Sequence, residues 1–224
     1  MKSRILVLAA HPDDEVLGCG GALARHADEG AIIHVAFLAD GVNARAGVDQ
    51  TAFDARRDAA RRALAELGVG SVSFGDLPDN RLDTVPLLDI VKLCEAQIAA
   101  HHPDTLYTHH AGDVNIDHRR LHEAVIAATR PQAGQSVRTL LFFEVASSTE
   151  WQPPGSAPVF APNWFVDIGP QLERKLRAID AYAVELRPWP HPRSRQGVEH
   201  LARWRGATIG AEAAEAFILG RRIA

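Results

Sequence analysis

Apolar positions in the first two thirds of the chain come in short unbroken runs. Ile5-Leu6-Val7-Leu8-Ala9-Ala10 has no polar member, as a strand buried on both faces requires. Comparable runs predict further strands at 31–39, 71–75, 104–108 and 139–145. Between them, apolar residues spaced three and four apart predict helices over 18–29, 51–67, 85–100 and 118–129, with Gly30, Gly68 and Pro131 as stop signals. Strands alternating with helices build βαβ units, so the expected fold is α/β: a single Rossmann-like domain over 1–224, its mostly parallel sheet flanked by helices and strand 1 near the centre. Beyond residue 146 the order weakens. Pro153, Pro154, Pro158 and Pro162 predict a loop-rich rim or lid around 146–163 before the apolar run at 164–168. A helix at 170–183, the irregular Arg187-Pro188-Trp189-Pro190-His191-Pro192 and two further helical pieces ending at Arg222 complete the expectation.

Composition narrows the partners. A formal net charge of -4 over 224 residues gives no electrostatic footprint for nucleic acid or an anionic membrane surface. The arginine doublets at 56–57, 61–62, 119–120 and 221–222 fall mostly on predicted helices with acids nearby, which reads as solvated faces. Cys19 and Cys94 are far apart and inside helical patterns, which predicts buried reduced thiols and a cytoplasmic location rather than a disulfide framework. No apolar stretch approaches the roughly 20 residues needed to cross a bilayer, and Met-Lys-Ser-Arg runs straight into a strand rather than a signal-peptide pattern. The sequence leaves the oligomeric state open, a homo-oligomer included.

The chemistry concentrates in His11-Pro12-Asp13-Asp14-Glu15, one imidazole and three carboxylates directly after the first strand. Acids before a helix often only cap it, but one would suffice for that. Three acids and a histidine crowded together need a cation or a shared proton to offset their repulsion, and a strand's carboxyl end is where open α/β sheets bind ligands. Further ligands must come from elsewhere. The segment Thr108–Arg119 follows the strand that can lie beside strand 1, and offers His109, His110 and His118. Chemistry alone ranks His118 first, with Asp117 beside it as an orienting carboxylate. His26, His34, His101, His102, His122 and His200 read as bystanders.

The run Ala10-His11-Pro12-Asp13-Asp14-Glu15, the Gly18-Cys19-Gly20-Gly21 that follows and the distant Asp117-His118 together resemble the LmbE-like (PIG-L) N-deacetylases. The resemblance extends to Arg56, to Asp79 in Gly75–Asn80 and to the closing Ala214-Glu215-Ala216-Phe217. It implies a zinc hydrolase, or one using another divalent ion, that removes an N-acetyl group from an N-acetylglucosamine-type conjugate. It implies His11, Asp14 and His118 as metal ligands and Asp13 as the base acting on the hydrolytic water. Three protein ligands leave a position open, which suits that chemistry. Arg56 and Asp79 match positions that contact substrate, with His109, His110 and His191 as further candidates on the substrate side, and Arg193 or Arg195 as grips for a phosphate. One departure stands out: relatives commonly carry His-Pro-Asp-His where this chain has Asn115-Ile116-Asp117-His118. Asn115 can donate a hydrogen bond to an oxyanion but cannot deliver a proton at neutral pH, so protonated Asp13, or one of His109, His110 and His191, has to protonate the leaving amine.

Two other classes compete. His11, Asp13 and a distant histidine also spell the two-histidine, one-carboxylate triad of a non-haem iron oxygenase, in which Asp13 rather than Asp14 would bind metal. The glycines after strand 1 faintly echo a dinucleotide turn, but their spacing is wrong and the adjacent acids would repel a pyrophosphate.

Overall fold

A computed structural model describes residues 2–41 and 50–224. Among the described residues, seven strands form one sheet: β1 (Arg4–Ala9), β2 (Ile32–Ala39), β3 (Ser71–Leu77), β4 (Thr105–His109), β5 (Thr139–Phe143), β6 (Trp164–Asp167) and β7 (Ala214–Arg222). Their order is β3-β2-β1-β4-β5-β7-β6, with β1 to β5 parallel and β7 antiparallel to both its neighbours. The described α-helices that flank the sheet are α1 (Asp14–Asp28), α2 (Gln50–Leu67), α3 (Leu87–His101), α4 (Ile116–Ala128), α5 (Leu172–Asp180) and α6 (Arg195–Ala207). The expected doubly wound α/β domain is what forms. β1 is buried along nearly its whole length, and apolar cores lie on both of its faces: Val7 and Phe37 join α1, α2 and α5 on one side, Leu6 and Leu8 join α3 and α4 on the other. None of the described helices is long and apolar enough to cross a membrane.

The chain reverses its winding between β1 and β4, which pair directly through Ile5–Thr105 and Val7–Tyr107. That switch point brings the loop after β1 beside the loop after β4, as the sequence pattern led one to expect.

Two expectations are corrected. The 214–222 stretch forms a strand, not a helix: alanine and glutamate favour helix locally, but pairing of Phe217 with both Phe143 and Trp164 overrides propensity. Helix α1 starts at Asp14, so the glycines lie inside it rather than at its entry. The helix is broken at Cys19 (φ -145°, ψ 16°), and the buried Glu215 carboxylate from β7 accepts the backbone N–H of Gly21 at 2.9 Å and of Ala22 at 2.7 Å, capping the second half. Lys175 of α5 neutralises Glu215 at 2.6 Å and also donates to the Leu17 carbonyl at 2.9 Å. At Gly18 a side chain would strike the Phe143 ring, and a Cβ at Gly21 would stand 2.5 Å from Ile168. These glycines let α1 press against the sheet, which fixes where its first turn points.

Candidate metal centre

The first turn of α1 and the first turn of α4 meet above the switch point. His11 lies in the tight turn after β1, where the Asp14 N–H donates to the His11 carbonyl at 3.3 Å and Asp14 Oδ2 accepts the His11 N–H at 2.8 Å. That same oxygen stands 3.3 Å from His11 Nδ1 and 3.3 Å from His118 Nε2. Donors around a tetrahedral ion with bonds near 2.0 Å are spaced about 3.3 Å apart, so this triad has the dimensions of a divalent-metal site. Buried His118 has a carboxylate oxygen within 3.3 Å of each ring nitrogen, Asp14 at Nε2 and Asp113 at Nδ1, but neither contact is aligned as a full hydrogen bond, which leaves Nε2 available to a ligand.

Carboxylates behind the triad orient it. His11 Nε2 lies 2.9 Å from Asp117 Oδ2 and 3.1 Å from Asp79 Oδ1, leaving Nδ1 to face Asp14. Asp117 is itself anchored by the N–H of Asn80 (2.6 Å) and of Leu82 (2.9 Å). His118 Nδ1 lies 3.2 Å from Asp113 Oδ2, and Asp113 accepts from Thr149 Oγ1 (2.7 Å), the Asn115 N–H (2.8 Å) and Ser148 Oγ. Such carboxylate–histidine pairs set tautomer and ligand basicity. Without an ion, protons balance the charge. Burial would depress both histidines, yet hydrogen bonds to Asp117, Asp14 and Asp79 hold His11 well above its ordinary pKa, and Asp14 and Asp113 lift His118 to about 9. Burial would raise Asp14, but the charges of His118 and His109 hold it well below the carboxylate range. A divalent ion would displace those imidazole protons.

Asp13 faces a cleft of about 230 Å³ beside the triad. Its backbone has φ 110°, a left-handed conformation strained for a residue with a side chain, and its N–H is fixed by Glu15 Oε2 at 2.9 Å. Tyr182 donates to Glu15 at 2.6 Å; burial, with Asp13's charge nearby, pushes Glu15 up to about 8. Burial also raises Asp13, against the charges of Arg193 and Arg56. Arg56 lines the cleft, bonded to Glu185 at 2.5 Å and to the Pro12 carbonyl at 2.7 Å. It is thus a partly buried site residue rather than part of a solvated face.

A family model described as PIG-L, GlcNAc-PI de-N-acetylase, matches residues 6–129. The chain belongs to the PIG-L family. It is similar to the uncharacterized deacetylase YaiS of Escherichia coli, 31% identical over 56% of this chain and 68% of that protein. It is also similar to the 1D-myo-inositol 2-acetamido-2-deoxy-alpha-D-glucopyranoside deacetylase of Mycobacteroides abscessus, at 27% identity over 82% of this chain and 81% of that one. Among solved structures, the 4-carboxy-2-hydroxymuconate hydratase GalB of Pseudomonas putida superposes with a TM-score of 0.80, covering 100% of this chain and 98% of that one at 23% identity. That likeness shows the fold alone, which carries more than one chemistry. PIG-L membership and the deacetylase relatives make this chain an amide-hydrolysing enzyme.

Of the residues the sequence pointed to, His11, Asp13, Asp14, Arg56, Asp79, Asn115 and His118 all border one cleft. The iron-oxygenase triad does not form, because Asp14 and not Asp13 stands between the histidines. Other expectations are corrected. Asp117 is fully buried and orients His11, while the carboxylate beside His118 is Asp113. Asn115 caps α4, its Oδ1 accepting from the Asp117 N–H at 2.8 Å and its Nδ2 donating to Asn80 at 3.2 Å. His109 is fully buried, stacked 3.8 Å from the His118 ring with Nε2 accepting the Ala10 N–H, so it cannot touch substrate. His110 turns away to the Pro158 carbonyl at 2.9 Å. His191 stands behind Arg193, accepting its N–H at 3.1 Å, and Arg195 pairs with Glu173 and Asp180 on the surface. The sequence reading assigned no site role to Asp113, Tyr182 or Glu185. Asp113 lay within the segment it singled out, Tyr182 and Glu185 had no local sign, and Arg193, read as a grip for a phosphate, instead pairs with Asp13 at 3.1 Å.

Proposed function

We propose that this PIG-L enzyme is a zinc-dependent N-deacetylase acting on an N-acetylglucosamine-type conjugate in the cytoplasm. The observation that carries the reading is the triad of His11 Nδ1, Asp14 Oδ2 and His118 Nε2, spaced for one tetrahedral ion beside a carboxylate that does not belong to it. A divalent ion bound there supplies Lewis acidity and a water of lowered pKa. Asp13, on the cleft side, is placed to act as the base: its carboxylate would take a proton from the attacking water as the water oxygen bonds to the acetyl carbon. The same carboxyl then returns the proton to nitrogen as the C–N bond breaks, releasing acetate and the free amine. Asn115 has one N–H left for the developing oxyanion, and Asp79 and Arg56 border the space a sugar would occupy.

The names of the mycobacterial relative and of the family model support the substrate class, since both specify an N-acetylated glucosamine. The free buried thiols of Cys19 and Cys94 suit a reducing compartment. The test is metal analysis of the purified protein together with acetate release from a panel of N-acetylglucosamine conjugates. Asp13→Asn is expected to retain metal and lose turnover, and His11→Ala to lose both. Full activity in Asp13→Asn would refute the assigned base.

A further inference from the structure

Asp13 sits between two arginines that treat its oxygens unequally. Oδ2 accepts a hydrogen bond from Arg193 Nη1 at 3.1 Å, whereas Oδ1 stands 3.6 Å from Arg56 Nη2, beyond hydrogen-bond reach. Arg56 does not close that gap, because Glu185 and the Pro12 carbonyl hold its Nη1 and Nη2. Among the described residues, Oδ1 therefore accepts no hydrogen bond. The backbone on which this carboxylate rides is fixed by Glu15, so the remaining freedom is rotation of the side chain.

Arg193 is delivered to Asp13 by a supported segment. Its N–H donates to His191, whose ring packs edge-on against Trp151 at 5.4 Å, and the next residue, Ser194, caps α6 through the Gly197 N–H at 2.9 Å. The guanidinium makes its ion pair with Asp13, and its buried Nε has no partner among the described residues. Tyr182 and Glu185, from the same stretch of chain, hold Glu15 and Arg56, so the late segment forms the wall that fixes the surroundings of Asp13.

We propose that Arg193 is a positioning residue for hydrolysis: by holding Oδ2 it stops the carboxylate rotating and keeps Oδ1 as the oxygen that accepts the water's proton. This rests on Asp13 being the base. Losing a charge-assisted hydrogen bond to the base lowers kcat by about 10–100-fold in zinc-loaded Arg193→Ala, with KM within about threefold and metal content unchanged. N-acetylglucosamine and N,N'-diacetylchitobiose are the probes. Guanidinium at sub-denaturing concentration restores turnover saturably in Arg193→Ala but not in Asp13→Asn, and Arg193→Lys falls between, since ammonium lacks the planar fork. A crystal structure of Arg193→Ala gives a readout apart from turnover. The Asp13 carboxylate loses its single orientation and regains it when guanidinium is soaked in. An unchanged kcat, a loss that guanidinium does not restore, or an unmoved Asp13 carboxylate would overturn the inference. A fully active Asp13→Asn would instead strike the base assignment, whereas an inactive Asp13→Asn beside a normal Arg193→Ala would strike only the role of Arg193.

Discussion

Replacing Asp113 with Asn separates a metal ligand held by design from a histidine that is merely packed. Asp113 stands 3.2 Å from His118 Nδ1 and accepts hydrogen bonds from Asn115, Ser148 and Thr149. Asparagine keeps the volume, and its carbonyl can still take the bonds to Asn115 and Ser148. Its amide nitrogen, however, faces Thr149 and His118 as a donor. His118 then loses the acceptor that fixes its Nδ1–H tautomer and makes Nε2 a better ligand. Such orienting partners are worth about 10–100-fold in metal affinity, or about 1.4–2.8 kcal/mol. Folding suffers too, by about 1–3 kcal/mol, because charge-assisted bonds become neutral and one donor faces another. The assay is a zinc competition titration against a chromophoric chelator, run beside urea denaturation of the same protein. Weaker zinc binding is the expected result. Parental zinc affinity alongside reduced stability would make Asp113 only a fastener for residues 148 and 149.

Other consequences follow from the same contacts. Lys175→Met leaves Glu215 charged and buried, and is expected to cost about 3–5 kcal/mol in chemical denaturation; a loss under about 1 kcal/mol would show that the pair does not hold α1 to the sheet. Burial, reinforced by the charge of the His101 ring stacked 3.6 Å away, lowers His34 to about 4, below its unfolded value near 6.5. The unfolded chain therefore binds the extra proton between those values, so stability falls as pH drops from about 6.5 to 4 and levels off below. The expected cost is about 1–2 kcal/mol after allowing for nearby solvent, and His34→Leu should flatten that part of the pH–stability curve. Zinc at about 100 times its Kd is expected to add about 2.7 kcal/mol, raising Tm by about 5–10 °C over the chelator-treated protein, as calorimetry would show.

The sheet and the two polar clusters that converge at the candidate site were legible in the chain because both are written locally. Short apolar-rich runs marked β1 to β5, and the His11-Pro12-Asp13-Asp14 and Asp117-His118 runs marked the two loops that β1 and β4 bring together. What depended on distant partners was not legible. The strand at β7 looks helical until Phe143 and Trp164 flank it, and the reason for glycine at positions 18 and 21 lies in Phe143 and Ile168. His109 looked like a site residue because it ends a strand beside the motif, yet side chains alternate there, and its ring stacks under His118 rather than opening to the cleft. Arg193 was noticed as a candidate but not its partner, because Asp13 lies 180 positions away and the proline-rich stretch has no periodicity to place the arginine.

Zinc-edge X-ray absorption on the purified protein and its ligand variants tests the central claim most directly. The expected result is one ion per chain in a shell of nitrogen and oxygen near 2.0 Å, with two imidazole contributions, lost in Asp14→Ala and His118→Ala and intact in Asp13→Asn. A spectrum that Asp13→Asn disrupts and Asp14→Ala leaves unchanged would contradict the assignment of ligand and base.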